Sequence, residues 1–389
     1  MNSNSPKAPA TVAALMTPPG RGALAAVAVR GPDAHRAVAA CCLTTPGNLS
    51  SKLNAGSLWL GAWGGLAGEL VVVHVCRPDF VEICSHGGTF PSQKILAELA
   101  GQGIRIVTWA KLVRADSATL IEAEAVEALA YSATLRAADI LLAQANGTLG
   151  RFLSDVQAEI RAGRLTDAGA KLDALLSRAR VGLHLTKPWR IAIVGRPNVG
   201  KSSLLNAIVG FDRAIVHCEA GTTRDLVTAA TAIDGWPVEF GDSAGLRTTI
   251  DELESAGIER ARRAIAESDL QLVVLDRSMP LTLEDRDVVR LCPSPVIVAN
   301  KCDLASVWDR LDDRTDALLV SARTGLGLSS LIDRLGQRLV PKPPEADAAV
   351  PFTPRQVAAI HAAAELVRQL DAVTAIESIH DAIGCDRSA

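Results

Sequence analysis

Aromatic residues are scarce in this chain of 389 residues: six Phe, six Trp and a single Tyr, or 3% of the whole. A protein that coats single strands of nucleic acid needs aromatic platforms for base stacking, so the scarcity speaks against that class. Charge of one sign is lacking too. Forty Lys and Arg stand against 43 Asp and Glu, a formal net charge of −3. That balance excludes a strongly basic nucleic-acid-coating protein and an acidic disordered tail, while leaving room for a local basic patch. No apolar run approaches the roughly 18 residues of a transmembrane helix. Runs such as 70–73 have strand length, so no membrane partner is expected. The start of the chain is polar, with Pro6 and Pro9, and the short apolar stretch after it stops at Thr17-Pro18-Pro19-Gly20. A secretory signal is therefore not expected. None of the eight cysteines forms a CxxC pair. The expectation is reduced thiols in a cytoplasmic protein.

What is present is an ordinary globular composition, 48% hydrophobic, at a length that suggests two or three domains. Residues 23–29 and 70–75 read as buried strands, 32–40 and 92–100 as helices, and the Gly-rich stretch 61–68 as a loop or hairpin. This predicts a small α+β domain. From residue 116 the pattern changes. Leu135, Leu142, Leu149, Leu153, Val156 and Ile160 recur among Ala, Glu, Arg and Gln, the spacing of amphipathic helices. Gly147 and Gly163 are the expected breaks. After Pro188-Trp189, strands alternate with helices up to about residue 340, the signature of a parallel sheet wrapped by helices. Pro341-Lys342-Pro343-Pro344 predicts a stiff linker, and 354–383 one or two Ala-rich helices.

The chemistry lies in the third segment. Gly195-Arg196-Pro197-Asn198-Val199-Gly200-Lys201-Ser202 fits the pattern G-x-x-x-x-G-K-[ST] between a predicted strand, 191–194, and a predicted helix beginning near Ser203. Glycines let the backbone curl so that its N–H groups point at phosphates, and the helix adds its positive end. On this reading Gly195, Asn198, Val199, Gly200, Lys201, Ser202 and Ser203 line a nucleotide. Lys201 reaches the β- and γ-phosphates, and Ser202 binds Mg²⁺. Gly221-Thr222-Thr223-Arg224-Asp225 supplies threonines of the type that ligate Mg²⁺ and the γ-phosphate. Asp242-Ser243-Ala244-Gly245 follows an apolar stretch, so that Asp242 would hold Mg²⁺ through water and the Gly245 N–H would touch the γ-phosphate.

Asn300-Lys301-Cys302-Asp303 follows the predicted strand 296–299, and Asn300, Lys301 and Asp303 are expected to bind the nucleotide. The Asp303 carboxylate can accept hydrogen bonds from guanine N1–H and its 2-amino group, neither of which adenine offers. Two charge-assisted bonds at about 1.5–3 kcal/mol each give ~3–6 kcal/mol of discrimination, or about 10²–10⁴ in affinity. Ser321-Ala322-Arg323 completes the base pocket, with the Ala322 N–H aimed at guanine O6. The site is thus expected to take GTP and GDP. Many GTPases carry a water-positioning Gln just after D-x-x-G. Here that place is held by Leu246, so another group must orient the attacking water, or hydrolysis is very slow.

With these motifs in view the chain resembles the MnmE (TrmE) family of tRNA-modification GTPases. Residues 195–263 match closely, including Gly-Thr-Thr-Arg-Asp, Asp242 to Arg247, Asp251 to Glu254 and Ala256 to Arg260. Thr17 to Gly22, Arg30-Gly31-Pro32, Val81 to Gly88 and Glu122 to Val126 match as well. The resemblance implies an α/β P-loop GTPase domain inserted in an α-helical domain, preceded by a small α+β N-terminal domain. The boundaries would be 1–115 for the folate-binding-like dimerisation domain, 116–188 and 341–389 for the two parts of the helical domain, and 189–340 for the G domain. It implies a homodimer whose G domains meet to hydrolyse GTP, with K⁺ held by Asn198. Glu254 would orient the catalytic water, beside Lys201 and Gly245 as catalytic groups. It further implies a tetrahydrofolate derivative as cofactor, an MnmG-like FAD protein and tRNA as partners, and no DNA.

The sequence also departs from the family. The C-terminal Cys-Ile-Gly-Lys is missing; the chain ends Ala382-Ile383-Gly384-Cys385-Asp386-Arg387-Ser388-Ala389. Where the family has Pro-Gly-Glu-Phe beside its folate pocket, this chain reads Arg105-Ile106-Val107-Thr108. The expectation is a shortened, divergent member with an intact G domain. Two other readings stay open: a GTP-switched binding protein of RNA or ribosome assembly, and a scaffold that has lost modification activity.

Overall fold

The computed structural model describes residues 10–18, 20, 22–44, 47–48, 54–65, 68–211, 229–241, 262–308 and 316–384. They form two compact units, one from the residues up to Ala123 and one from Glu124–Gly384.

The first unit contains β1 (Val12–Leu15), β2 (Leu24–Arg30), α1 (Ala34–Cys41), β3 (Cys42–Thr44), β4 (Gly47–Asn48), β5 (Leu58–Trp63), β6 (Glu69–Arg77), β7 (Phe80–His86), α2 (Thr89–Gly101), β8 (Arg105–Ile106) and α3 (Trp109–Asp116). The strands join in the order β4-β3-β5-β6-β7-β2-β1-β8. Every described pairing is antiparallel except β1 with β8. The expected strands and helices are present, and the Gly-rich stretch falls at the β5–β6 hairpin. Alternation decides which way β6 faces. Val71, Val73 and Val75 are buried, while Leu70, Val72, His74 and Cys76 point to the other side. Val27, Val29, Val81, Ile83 and Trp63 join that core, covered by Val38 of α1 and by Ile95 and Leu99 of α2.

The boundary falls within α4 (Leu120–Leu129), and the second unit continues with α5 (Leu135–Ala145), α6 (Thr148–Arg161), α7 (Leu165–Leu176) and α8 (Ala179–Leu183). The joins fall at Gly147 and Gly163 as expected, and Leu149, Leu153, Val156 and Ile160 form the buried stripe of α6. Next come β9 (Trp189–Val194), α9 (Lys201–Phe211), β10 (Ala229–Ile233), β11 (Trp236–Gly241), β12 (Leu270–Asp276), α10 (Leu283–Leu291), β13 (Val296–Asn300), β14 (Leu318–Leu319) and α11 (Leu328–Leu339). The sheet order is β10-β11-β9-β12-β13-β14, and only β10–β11 is antiparallel. Strands β12 and β13 are buried at every position, which is why both read as apolar runs rather than alternations.

The chain then reaches α12 (Pro354–Arg368) and α13 (Ala372–Ile383). Thr353 and Gln356 close a capping box on α12, with Pro354 at its start. These last helices pack on the early ones. Gln144 Nε2 donates to Ala348 O at 3.1 Å while its Oε1 accepts from Val350 N at 3.3 Å. Arg355 donates to Glu124 through Nε at 2.9 Å and Nη2 at 2.8 Å, and Gln356 Nε2 adds a third bond at 2.7 Å. Among the described residues no helix is long and apolar enough to cross a membrane.

Candidate nucleotide site

The loop 195–200 connects the buried strand β9 to α9. Two of its glycines are forced by space. A Cβ on Gly195, whose φ is +150°, would lie 2.3 Å from Val274 O; one on Gly200, at φ +97°, would lie 2.3 Å from Asn300 Nδ2. Asn198 also sits in the left-handed region, at φ 64°, which Asn tolerates better than most residues. The result is a tight curl, with Val199 buried beneath it. Ser202 and Ser203 are exposed on the first turn of α9. The donor set suits a phosphate chain: backbone N–H groups at a helix start, a serine hydroxyl and a lysine.

Lys201 Nζ donates to the carbonyls of Gly195 at 2.8 Å and Arg196 at 2.7 Å. The ammonium is thereby held across the loop it belongs to. Burial pushes its pKa below the usual lysine value, since the charged form loses water there. The outer edge of the loop is tied elsewhere: Arg196 Nε donates to Asp285 Oδ1 at 2.8 Å. Asp285 is 2% exposed, and its other oxygen closes the capping box of α10 with Thr282.

The base-pocket motifs converge on the same loop. Asn300, 2% exposed at the end of β13, donates from Nδ2 to Val199 O at 2.9 Å and accepts from the Ala322 N–H on Oδ1 at 3.1 Å. One amide thus couples the phosphate loop to the Ser321-Ala322-Arg323 turn. Lys301 Nζ donates to Asn198 O at 2.9 Å and pairs with Asp276 at 2.6 Å. Asp303 Oδ1 accepts from Ser321 Oγ at 2.6 Å, and Oδ2 pairs with Arg323 at 2.7 Å. The Ser321 hydroxyl and the Arg323 guanidinium hold the Asp303 carboxyl below its ordinary value. It is therefore ionised at neutral pH, as a double acceptor must be.

Gly195, Asn198, Val199, Gly200, Lys201, Asn300, Lys301, Asp303, Ser321, Ala322 and Arg323 thus meet at one end of the parallel sheet, beyond the carboxyl ends of its strands, where such folds bind ligands. Thr222, Thr223, Asp242, Gly245, Leu246, Glu254 and Cys385 lie outside the described residues. Two supports had no place in the motif reading. Asp276 ends β12 as the single charge on an apolar strand, which is the available signal for it; Lys301 and Ser278 hydrogen bonds hold its carboxyl low against the effect of burial. Asp285 carried no signal beyond its capping position.

Residues 190–301 match the family described as 50S ribosome-binding GTPase. The tRNA modification GTPase MnmE of Lactococcus lactis subsp. cremoris strain MG1363 is 33% identical over 369 residues, covering 84% of this chain and 80% of that protein. The protein of the same name from Lactococcus lactis subsp. lactis strain IL1403 is 32% identical over 419 residues, covering 97% and 91%. That of Chloroflexus aurantiacus is 33% identical over 417 residues, covering 97% and 92%.

Proposed function

The chain belongs to the MnmE family of tRNA modification GTPases, and from that premise we propose how its parts divide the work. It is a GTP hydrolase that acts in tRNA modification. The phosphates lie on 195–203, with Lys201 neutralising the β- and γ-oxygens. Asp303 reads guanine, the Ala322 N–H meets O6, and Ser321 and Arg323 set the carboxylate. Ser202, with Thr223 and Asp242, would hold Mg²⁺, which when bound shields the charge that develops on the phosphates. The Gly245 N–H senses the γ-phosphate and Glu254 orients the attacking water. The observation that carries this reading is the Asn300 bridge from Val199 O to the Ala322 N–H, because it makes the phosphate loop and the base pocket one object. Exchange of Asp303 for Asn tests it. The variant loses GTP affinity by about 10²–10⁴ and gains affinity for xanthosine triphosphate, whose 2-carbonyl accepts from the new amide. An unchanged guanine preference refutes the assignment.

The finer architecture belongs to the same proposal: an N-terminal domain over 1–115, a G domain over 189–340, and a helical domain assembled from 116–188 and 341–389 around it. The bonds from Gln144 and Glu124 to residues 348–356 support the joined helical domain. The chain acts as a cytoplasmic homodimer. An exposed apolar face formed by Leu58 and Leu60 of β5 with Leu70 and Val72 of β6 supports a second copy of the chain as its cover. Asn198, exposed at the rim of the loop, holds the K⁺ that stimulates turnover; equal rates in KCl and NaCl remove that assignment. The match of Thr17 to Gly22 and Val81 to Gly88 to the family supports a tetrahydrofolate derivative as carbon donor. Titration calorimetry with a formyl-tetrahydrofolate tests it, and absence of heat removes it. The modification is made on wobble uridine together with an MnmG-like FAD protein. An unaltered tRNA nucleoside profile in a deletion strain removes that step.

A further inference from the structure

The β6–β7 hairpin of the first unit gathers three side chains that the nucleotide chemistry does not use. His74 and Cys76 are two residues apart on β6, so they share the face opposite the valine core. Glu82 lies directly across the ladder from His74 and faces the same way. Register then breaks. Val75 pairs with Val81 and Arg77 with Phe80, which leaves Cys76 as the extra residue of a β-bulge. A bulge re-aims the side chain it carries. Here Cys76 Sγ comes to 3.3 Å from His74 Nδ1, which itself lies 3.4 Å from Glu82 Oε2. All three ligand atoms fall within 4.8 Å of one another.

We propose that His74, Cys76 and Glu82 form a binding site for a divalent transition cation of the zinc class. Two of the three separations, 3.3 Å and 3.4 Å, are those of a coordination sphere, and the third pair, Cys76 with Glu82, lies within 4.8 Å. Around a tetrahedral zinc, with bonds of ~2.3 Å to sulfur and ~2.0–2.1 Å to nitrogen or oxygen, neighbouring ligand atoms stand roughly 3.3–3.6 Å apart. One thiolate, one imidazole and one carboxylate make a donor set of borderline softness that suits zinc or cobalt and not magnesium or calcium. Bound together, a thiolate and a carboxylate also neutralise the ion's two positive charges. The adjacent Arg77 is engaged by Asp79 and Asp116. In the single chain the His74 and Glu82 side chains are 38% and 42% exposed, so they are open there to an ion from solvent. Three protein ligands leave the fourth position to water, as in zinc sites that keep an open place. In the metal-free protein Cys76 is a thiol, because burial and the Glu82 charge raise its pKa to about 11. Capture of the ion therefore forms the S–metal bond with loss of one proton to solvent.

The test uses the full chain, stripped of metal and loaded with GDP and Mg²⁺ so that the nucleotide site is filled. Zinc is titrated in competition with a chromogenic chelator, and cobalt is substituted to read the ligands. The expected result is one ion per chain, with a sulfur-to-cobalt charge-transfer band and visible bands of four-coordinate intensity. Cys76→Ser removes the charge-transfer band. His74→Ala and Glu82→Gln each weaken binding at least tenfold, the least that even loss of an outer supporting contact costs a metal site. Far-ultraviolet circular dichroism and a melting transition of the first unit equal to those of the parent show that the three variants are folded. Absence of binding overturns the proposal. So does a cobalt band that survives in Cys76→Ser, which would place the metal on other cysteines. So does full zinc affinity in the Cys76→Ser/His74→Ala double variant.

Discussion

Replacing Asn300 by Ala should unfasten the nucleotide site by removing the amide that ties the phosphate loop to the Ser321-Ala322-Arg323 turn. The side chain makes two bonds, 2.9 Å to Val199 O and 3.1 Å from the Ala322 N–H. Alanine removes both. Val199 is 2% exposed, so its carbonyl is left buried without that partner, at a cost of about 1–3 kcal/mol. Ala322 is half-buried. Water can reach its N–H, which puts that loss near ~1 kcal/mol. The sum is ~2–4 kcal/mol. In a cooperative unit of this size each kcal/mol moves Tm by roughly 2–4 °C, so a drop of roughly 5–15 °C is expected in the transition of the second unit. GDP should restore part of it by mass action, since ligand binds only the ordered loops. Nucleotide affinity should fall together with Tm, while the preference for guanine over xanthine that we assign to Asp303 should persist. Differential scanning calorimetry with and without GDP, alongside fluorescent-nucleotide titration, reads all three quantities. A variant with unchanged Tm and unchanged affinity would refute the claim that this amide holds the two loops in register.

Asp276→Asn removes the charge that holds Lys301 on the Asn198 carbonyl. Because Lys301 is about one-third exposed, a loss of ~1–3 kcal/mol is expected rather than the larger figure for a fully buried pair, measured by chemical denaturation. Arg355→Met should destabilise the second unit by about 1–3 kcal/mol, since the half-buried Glu124 keeps only the Gln356 bond; Glu124→Gln in the same background should cost little more. GTP affinity should decline on the alkaline side starting below the ordinary lysine pKa, because burial already weakens proton binding at Lys201 and the phosphates require its charged form. Calorimetry in buffers of different ionisation enthalpy should show proton uptake there, and Lys201→Arg should abolish it. For the nucleotide-free protein the sign is opposite. The unfolded chain holds that proton more tightly, so stability rises with pH across the same window.

The nucleotide site was legible because its constraints are local. Gly195 and Gly200 announce two positions that no side chain can occupy, and a Cβ at either would lie 2.3 Å from a neighbouring atom. The apolar runs before the loop and before Asn300 announce strands buried on both faces. Short-range spacing also gave the helices, since Leu149, Leu153, Val156 and Ile160 mark one stripe whatever they pack against. The carboxylate of Asp303 follows from its place in Asn300-Lys301-Cys302-Asp303 without any tertiary contact. Spacing of this kind is written in consecutive residues, so the element types and the loop 195–200 follow from the sequence alone.

Contacts made across long chain separations were settled only by the tertiary structure. Nothing near Asn300 in the chain says that its amide reaches Val199, 101 residues earlier, or that Arg196 leans on the capping residue Asp285 of a later helix. Glu124 meets Arg355 across 231 residues. The eight-stranded order of the first sheet, and the bulge that turns Cys76 toward His74, depend on which strands pair and in what register. Register is fixed by burial of a whole face rather than by any single residue. A hydrogen bond or ligand cluster between distant segments has no periodicity to betray it; it exists only once the packing of the core has brought its partners within reach.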